Sequence, residues 1–141
     1  MPHSTVFHLF AYGSLRSGFN SPAYEYISRY FNQVGKAKVK GKLFDMGKYP
    51  AAISTEDNEF ITGELYLIKN EHEFSWAIGQ LDDYEGINTE NGDSPLYRRE
   101  LADVFINDST TKAWIYWYNG DVSGKQKIDS GDILQYIHEK K

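Results

Sequence analysis

The chain has no cysteine, which excludes disulfides, a thiol nucleophile and every Cys-ligated metal centre and fits a reducing compartment. Its core is therefore held by packing. No run approaches the roughly 18 apolar residues that a membrane helix needs. MPHSTVFHLF also lacks the basic start and long apolar middle of a signal peptide. The expectation is a soluble, cytoplasmic protein that engages no membrane. Positive charge is in deficit, with 15 Lys and Arg against 20 Asp and Glu for a net charge of −5. Non-specific nucleic-acid affinity rests on clustered Lys and Arg, so no nucleic-acid partner is expected. The four histidines, His3, His8, His72 and His138, show no metal-ligand spacing, and HExxH does not occur.

What the chain does have is length for one sizeable core, 141 residues, read as a single domain over 1–141. It is 40% hydrophobic and 25% charged, with 11 Tyr, 8 Phe and 3 Trp to wall a core or a pocket. Alternation over residues 6–12 predicts a buried strand that breaks at Gly13-Ser14. Ser21-Pro22 then reads as a helix N-cap with proline at the first helical position, and Ala23, Tyr26, Ile27, Tyr30 and Phe31 repeat at helical spacing. In GKAKVKGKLF, Lys36, Lys38, Lys40 and Lys42 alternate with Ala37, Val39, Gly41 and Leu43, the pattern of a strand wet on one side.

MGKYPAAI and FITGELYLI, joined by EDNE, read as a hairpin. Asn70 caps a second helix whose apolar stripe is Phe74, Ala77, Ile78 and Leu81, with Gly86 as a left-handed stop. INTENGDSP, residues 87–95, is a turn-rich surface loop placed to cover a site. YRRELADVFI and KAWIYWYNG form two strands across NDSTT, VSGKQK is a loop, and DSGDILQYIHEK ends in a short helix. The fold class predicted is α+β, a small, mixed, barrel-like sheet with flanking helices, because hairpin connections outnumber βαβ alternation.

Two stretches stand out chemically. In Tyr12-Gly13-Ser14-Leu15, glycine permits backbone conformations closed to other residues, and successive free N–H groups can form a nest for a carboxylate or carbonyl oxygen; an ordinary strand exit reads the same way. Arg16-Ser17-Gly18 does not supply a phosphate-loop ending. In LDDYEG, three carboxylates crowd a helix C-terminus, where the dipole disfavours negative charge. A carboxylate held there beside an aromatic wall is suited to proton exchange near neutrality, and Glu85 is the candidate; three solvated acids is the plain alternative. Arg98 and Arg99 point to opposite strand faces and suit surface pairing with acids. Trp114, Tyr116 and Tyr118 share a face that suits core or cavity lining. Ser14 sits in no GxSxG elbow, so nothing supports a Ser-His-Asp triad.

Together, FAYGSLRSGFN, MGKYPA, TGELY, LDDYEG, YRRELADV, AWIYWY and SGD, in that order over almost the whole chain, resemble the gamma-glutamylcyclotransferase-like (AIG2-like) family. The resemblance implies a barrel-based α+β fold with a cavity between the YGSL loop and the helix end. It also implies a cofactor-independent reaction in which the free α-amine of a γ-glutamyl group attacks its own γ-carbonyl, releases an amine, amino acid or peptide, and closes 5-oxoproline. Glu85 would then be catalytic, and Tyr12, Gly13, Ser14, Leu15, Tyr97 and Tyr116 would bind a small γ-glutamyl substrate, with no metal. Ile133 stands where relatives commonly have Trp, and the short YGSL loop is closer to the γ-glutamylamine and bacterial branches. The expected activity is γ-glutamyl cyclotransfer; the alternative is a non-catalytic binding or regulatory domain that keeps the cavity. A different transferase or hydrolase in the same cavity is the third reading. The sequence sets no oligomeric state.

Overall fold

The computed structural model describes residues 6–13, 22–46, 50–85 and 97–139. Its elements run β1 (His8–Ala11), α1 (Pro22–Tyr30), β2 (Phe31–Asp45), β3 (Pro50–Ser54), β4 (Phe60–Ile68), a 3-10 turn (Glu71–Glu73), α2 (Phe74–Glu85), β5 (Tyr97–Ile106), β6 (Ser109–Tyr118), β7 (Gln126–Ile128) and α3 (Ile133–Glu139). The predicted Ser21 cap, the Gly86 stop and the 87–95 loop fall outside the described residues.

The sheet closes on itself. In strand order, β2 pairs β4, β4 pairs β1, β1 pairs β6, β6 pairs β5, and β5 returns to β2, giving a five-stranded barrel. The closing contact is the single register pair Lys38↔Phe105. Among the described residues only β1 and β6 run parallel, with Leu9 opposite Trp114. The α+β, barrel-like expectation is met.

Side-chain alternation divides the apolar residues into two cores. Phe10, Val39, Leu43, Ile61, Leu65, Val104, Ile115 and Trp117 come from all five barrel strands and fill the interior. Their neighbours in sequence, among them Leu9, Ala11, Tyr66, Tyr116 and Tyr118, face the other way and are covered by Ile27 of α1 and by Phe74, Ala77, Ile78 and Leu81 of α2. The stripe predicted for α2 is therefore the face it buries. Asn70 caps as expected, its Oδ1 accepting from the His72 N–H at 3.0 Å, though it opens the 3-10 turn that leads into α2. The lysines of β2 lie on the wet face: Lys36, Lys38 and Lys40 are exposed, and Lys42 pairs Asp57 at 3.0 Å and Glu59 at 3.4 Å.

Three expectations are corrected. Phe31 does not extend α1 but opens β2, opposite Ile68, because its ring is wanted in the core beneath the helices. The segment 50–68 is not a paired hairpin: β3 pairs with Gly41–Asp45 of β2, and β4 pairs with Phe31–Lys40 of the same strand. At 15 residues β2 is long enough to serve both, and the Gly41 N–H bonds the Glu59 carbonyl at 3.0 Å where the partners change. VSGKQK is not all loop, since Gln126–Ile128 pairs with Leu43–Asp45 and buries Ile128 in the barrel core.

The following turn depends on Gly131. Its φ of +69° lies in the left-handed region, and a Cβ there would come within 1.9 Å of the Phe60 carbonyl oxygen. That close approach lets the Gly131 carbonyl accept from the Thr62 N–H at 2.8 Å. Asp132 then caps α3, its Oδ1 accepting from the Leu134 N–H at 3.1 Å, and Ile133 is buried against the barrel core.

Candidate active site

The described residues predicted for the site converge at one end of the sheet. β1 leads directly into Tyr12-Gly13. The Tyr12 hydroxyl donates to the backbone carbonyl of Tyr116 on β6. Gly13 lies against Pro50, the first residue of β3; a Cβ on Gly13 would sit 3.2 Å from Pro50 Cγ. The Pro50 carbonyl in turn accepts from the Tyr97 hydroxyl at 3.1 Å, and the Tyr97 ring meets its cross-strand partner Tyr118 edge-on at 5.6 Å. Tyr12, Gly13, Tyr97 and Tyr116 are thus brought together. At position 13 the space for a side chain is narrowed by Pro50, and the backbone is not in the left-handed region that favours glycine.

The other half of the site is the end of α2, which is pinned by an acid that the sequence reading passed over. Asp82 continues the apolar stripe four residues after Ile78 and is only 8% exposed. Its Oδ1 accepts from Arg99 Nε at 2.7 Å and from the Tyr116 hydroxyl at 2.8 Å, while Oδ2 accepts from Arg99 Nη2 at 3.0 Å. The bidentate, charge-assisted pair satisfies a carboxylate that would otherwise be costly to bury. It also offsets the unfavourable position of an acid at a helix C-terminus. Arg99 stacks over Trp114 with Cζ 4.5 Å from the ring centroid, and Trp114 Nε1 donates to the Val6 carbonyl at 2.9 Å.

Two readings are corrected here. The acids of LDDYEG are not all solvated, since Asp82 is buried. Arg99 does not pair at the surface either, because β5 alternation puts it on the face of Tyr97, toward α2. Arg98, on the opposite face, does pair at the surface, with Glu100 at 3.1 Å. The stripe of Trp114, Tyr116 and Tyr118 belongs to the helix-side core.

Glu85 is the last residue of α2, one helical turn beyond Asp82. The structure describes its backbone and not its side chain; Ser14 and Leu15 lie outside the described residues. Of the histidines, His8 is half-buried on β1, and burial lowers its pKa below the ordinary value. Among the described residues no group of three or more His, Asp or Glu side chains could hold a metal ion, and no helix is long and apolar enough to cross a membrane.

The barrel, its helix layer and the junction of β1 with α2 define an α+β protein of a recognisable class. The family described as gamma-glutamyl cyclotransferase, AIG2-like, matches residues 9–135. The chain belongs to that family. It is 32% identical over 116 residues to the gamma-L-glutamyl-butirosin B gamma-glutamyl cyclotransferase of Niallia circulans, covering 81% of this chain and 68% of that protein. Among solved structures, YkqA of Bacillus subtilis superposes with a TM-score of 0.69 at 26% identity; the alignment covers 97% of this chain but 44% of YkqA, so the chain spans less than half of that protein. Escherichia coli YtfP superposes with a TM-score of 0.62 at 26% identity, covering 92% of this chain and 98% of YtfP.

Proposed function

We propose that the protein is a γ-glutamyl cyclotransferase that acts on a small γ-glutamyl amine, amino acid or peptide and releases 5-oxoproline without a cofactor. The observation that carries this reading is the junction at Tyr116. Its carbonyl receives the Tyr12 hydroxyl and its own hydroxyl reaches Asp82, so the exit of β1 and the last turn of α2 meet at one residue. Family membership supports the reaction class, and the name of the Niallia circulans relative supports a γ-glutamyl amide as substrate.

In this reading the backbone N–H groups at Gly13, Ser14 and Leu15 hold the donor, and Tyr12, Tyr97 and Tyr116 form its aromatic surround. Glu85 removes a proton from the α-ammonium, since an ammonium has no lone pair with which to attack. The α-nitrogen then bonds to the γ-carbonyl carbon, Glu85 returns that proton to the leaving nitrogen as its bond to the carbon breaks, and the second proton shed by the attacking nitrogen leaves with the released amine as its ammonium. Proton shuttling of this kind contributes about 10²–10⁴-fold. Holding the flexible donor in a ring-closing pose supplies more.

The test is release of 5-oxoproline from a panel of γ-glutamyl compounds by the native chain and by Glu85→Gln, with binding followed in parallel. The variant is expected to bind and not turn over. Full turnover by it would remove Glu85 from the mechanism, and binding without release by the native chain across the panel would identify a non-catalytic module.

A further inference from the structure

We propose that Asp82 and Arg99 are positioning residues that fix the last turn of α2, and with it the placement of Glu85, relative to the exit of β1. The inference rests on the cyclotransferase reading and deepens it.

Three observations carry it. First, Asp82 is held from three directions, by Arg99 Nε, by Arg99 Nη2 and by the Tyr116 hydroxyl, at 2.7, 3.0 and 2.8 Å. A side chain bonded in this way has little freedom to shift or rotate. Second, its partners are themselves fixed. Arg99 lies between Asp82 and the face of Trp114, Trp114 is tied to the Val6 carbonyl just before β1, and Tyr116 takes the Tyr12 hydroxyl on its carbonyl. The one network therefore reaches both ends of β1 and the end of α2. Third, Asp82 is three residues from Glu85, so both positions lie on one stripe of the helix. A rotation or slide of that turn displaces the two together.

Neither residue is assigned a contact with substrate. Their effect is on the distance between the proton-accepting group and the donor, and a misplacement of about 1 Å can cost about 10²-fold in rate. Arg99→Lys keeps the charge but loses the planar two-point fork. Asp82→Asn keeps the shape and an acceptor for Tyr116 but loses the charge that holds Arg99. Both conserve volume, so the fold is expected to survive.

The experiment measures kcat and KM for 5-oxoproline release, together with amide hydrogen exchange along α2, for the native chain, Arg99→Lys, Asp82→Asn, the double variant and Glu85→Gln. The expected result is a fall in kcat of about 10–100-fold in each single variant with KM changed less than about 3-fold. The double variant should be no worse than the poorer single one, because the two act as a unit. Exchange should rise at Leu81–Glu85 and stay unchanged at Phe74–Ile78. Native kcat in both single variants, with Glu85→Gln inactive, would overturn the positioning role and leave the cyclotransferase reading standing. Unchanged exchange at Leu81–Glu85 would overturn it irrespective of turnover. A kcat loss that simply tracks lost folded protein, with exchange raised throughout α2, would also overturn it, in favour of a general stability role. No release by the native chain would overturn the cyclotransferase reading and this inference with it.

Discussion

Replacing Tyr116 with Phe removes one oxygen from a buried junction and leaves its surroundings in place. Tyr116 is 2% exposed, and its hydroxyl donates to Asp82 Oδ1 at 2.8 Å. A hydrogen bond to a charged group is worth about 1.5–3 kcal/mol. The lower end applies here, because the same oxygen also accepts from Arg99 Nε and is not left without a donor. The bond from Tyr12 survives, since it ends on the Tyr116 backbone. The expected loss is about 1.5 kcal/mol, or a fall in Tm of about 5 °C for a chain of this size. Urea unfolding followed by circular dichroism should show a lower midpoint with an unchanged slope, because the surface exposed on unfolding is the same. The loss should persist at high salt, since a buried contact is screened little. A change below about 0.5 kcal/mol, the range of ordinary surface substitutions, would mean that the hydroxyl does not hold Asp82, and the junction would have to be redrawn.

Gly131→Ala should cost about 3 kcal/mol or more, because it combines a left-handed φ with a backbone clash at Phe60; the urea midpoint measures it, and a neutral outcome would refute the close approach. Leu43→Ala empties a fully buried place in the barrel core and should cost about 2–5 kcal/mol in the same assay. Burial lowers the pKa of His8, so protons favour the unfolded chain. The corresponding stability is complete above the unfolded value near 6.5 and is lost as pH falls from there through the lower folded value. His8→Gln should therefore flatten the fall in urea midpoint between about pH 7.5 and 5.5; an unchanged slope would remove His8 from the acid response.

Most of the fold was legible wherever a periodicity had a single explanation. The alternating lysines of β2 and the 74-77-78-81 stripe of α2 each describe one wet face and one buried face, and both are seen. What could not be read was partner choice. Nothing local in PAAIS says that it pairs with the far half of β2 and not with FITGELYLI, because the choice is made by the length of β2 and the closure of the barrel. Gln126–Ile128 is too short to show a period, and its pairing follows from the edge that β2 offers at Leu43–Asp45.

In the site, the signal for Asp82 was present. It stands at i+4 from Ile78 on the apolar stripe, and a buried acid needs a cation. Arg99 shares a strand face with Tyr97 and was the matching candidate. The pair was missed because charged residues near a helix end and on a strand are ordinarily solvated, and only the fold shows that these two face one another.

The central claim is that the γ-carbonyl is attacked by the donor's own amine and not by water. The direct test is turnover of a γ-glutamyl amide in ¹⁸O-labelled water with mass analysis of the product. Cyclisation predicts unlabelled 5-oxoproline, because its ring carbonyl keeps the original oxygen. Free glutamate carrying one labelled oxygen would show hydrolysis and contradict the account.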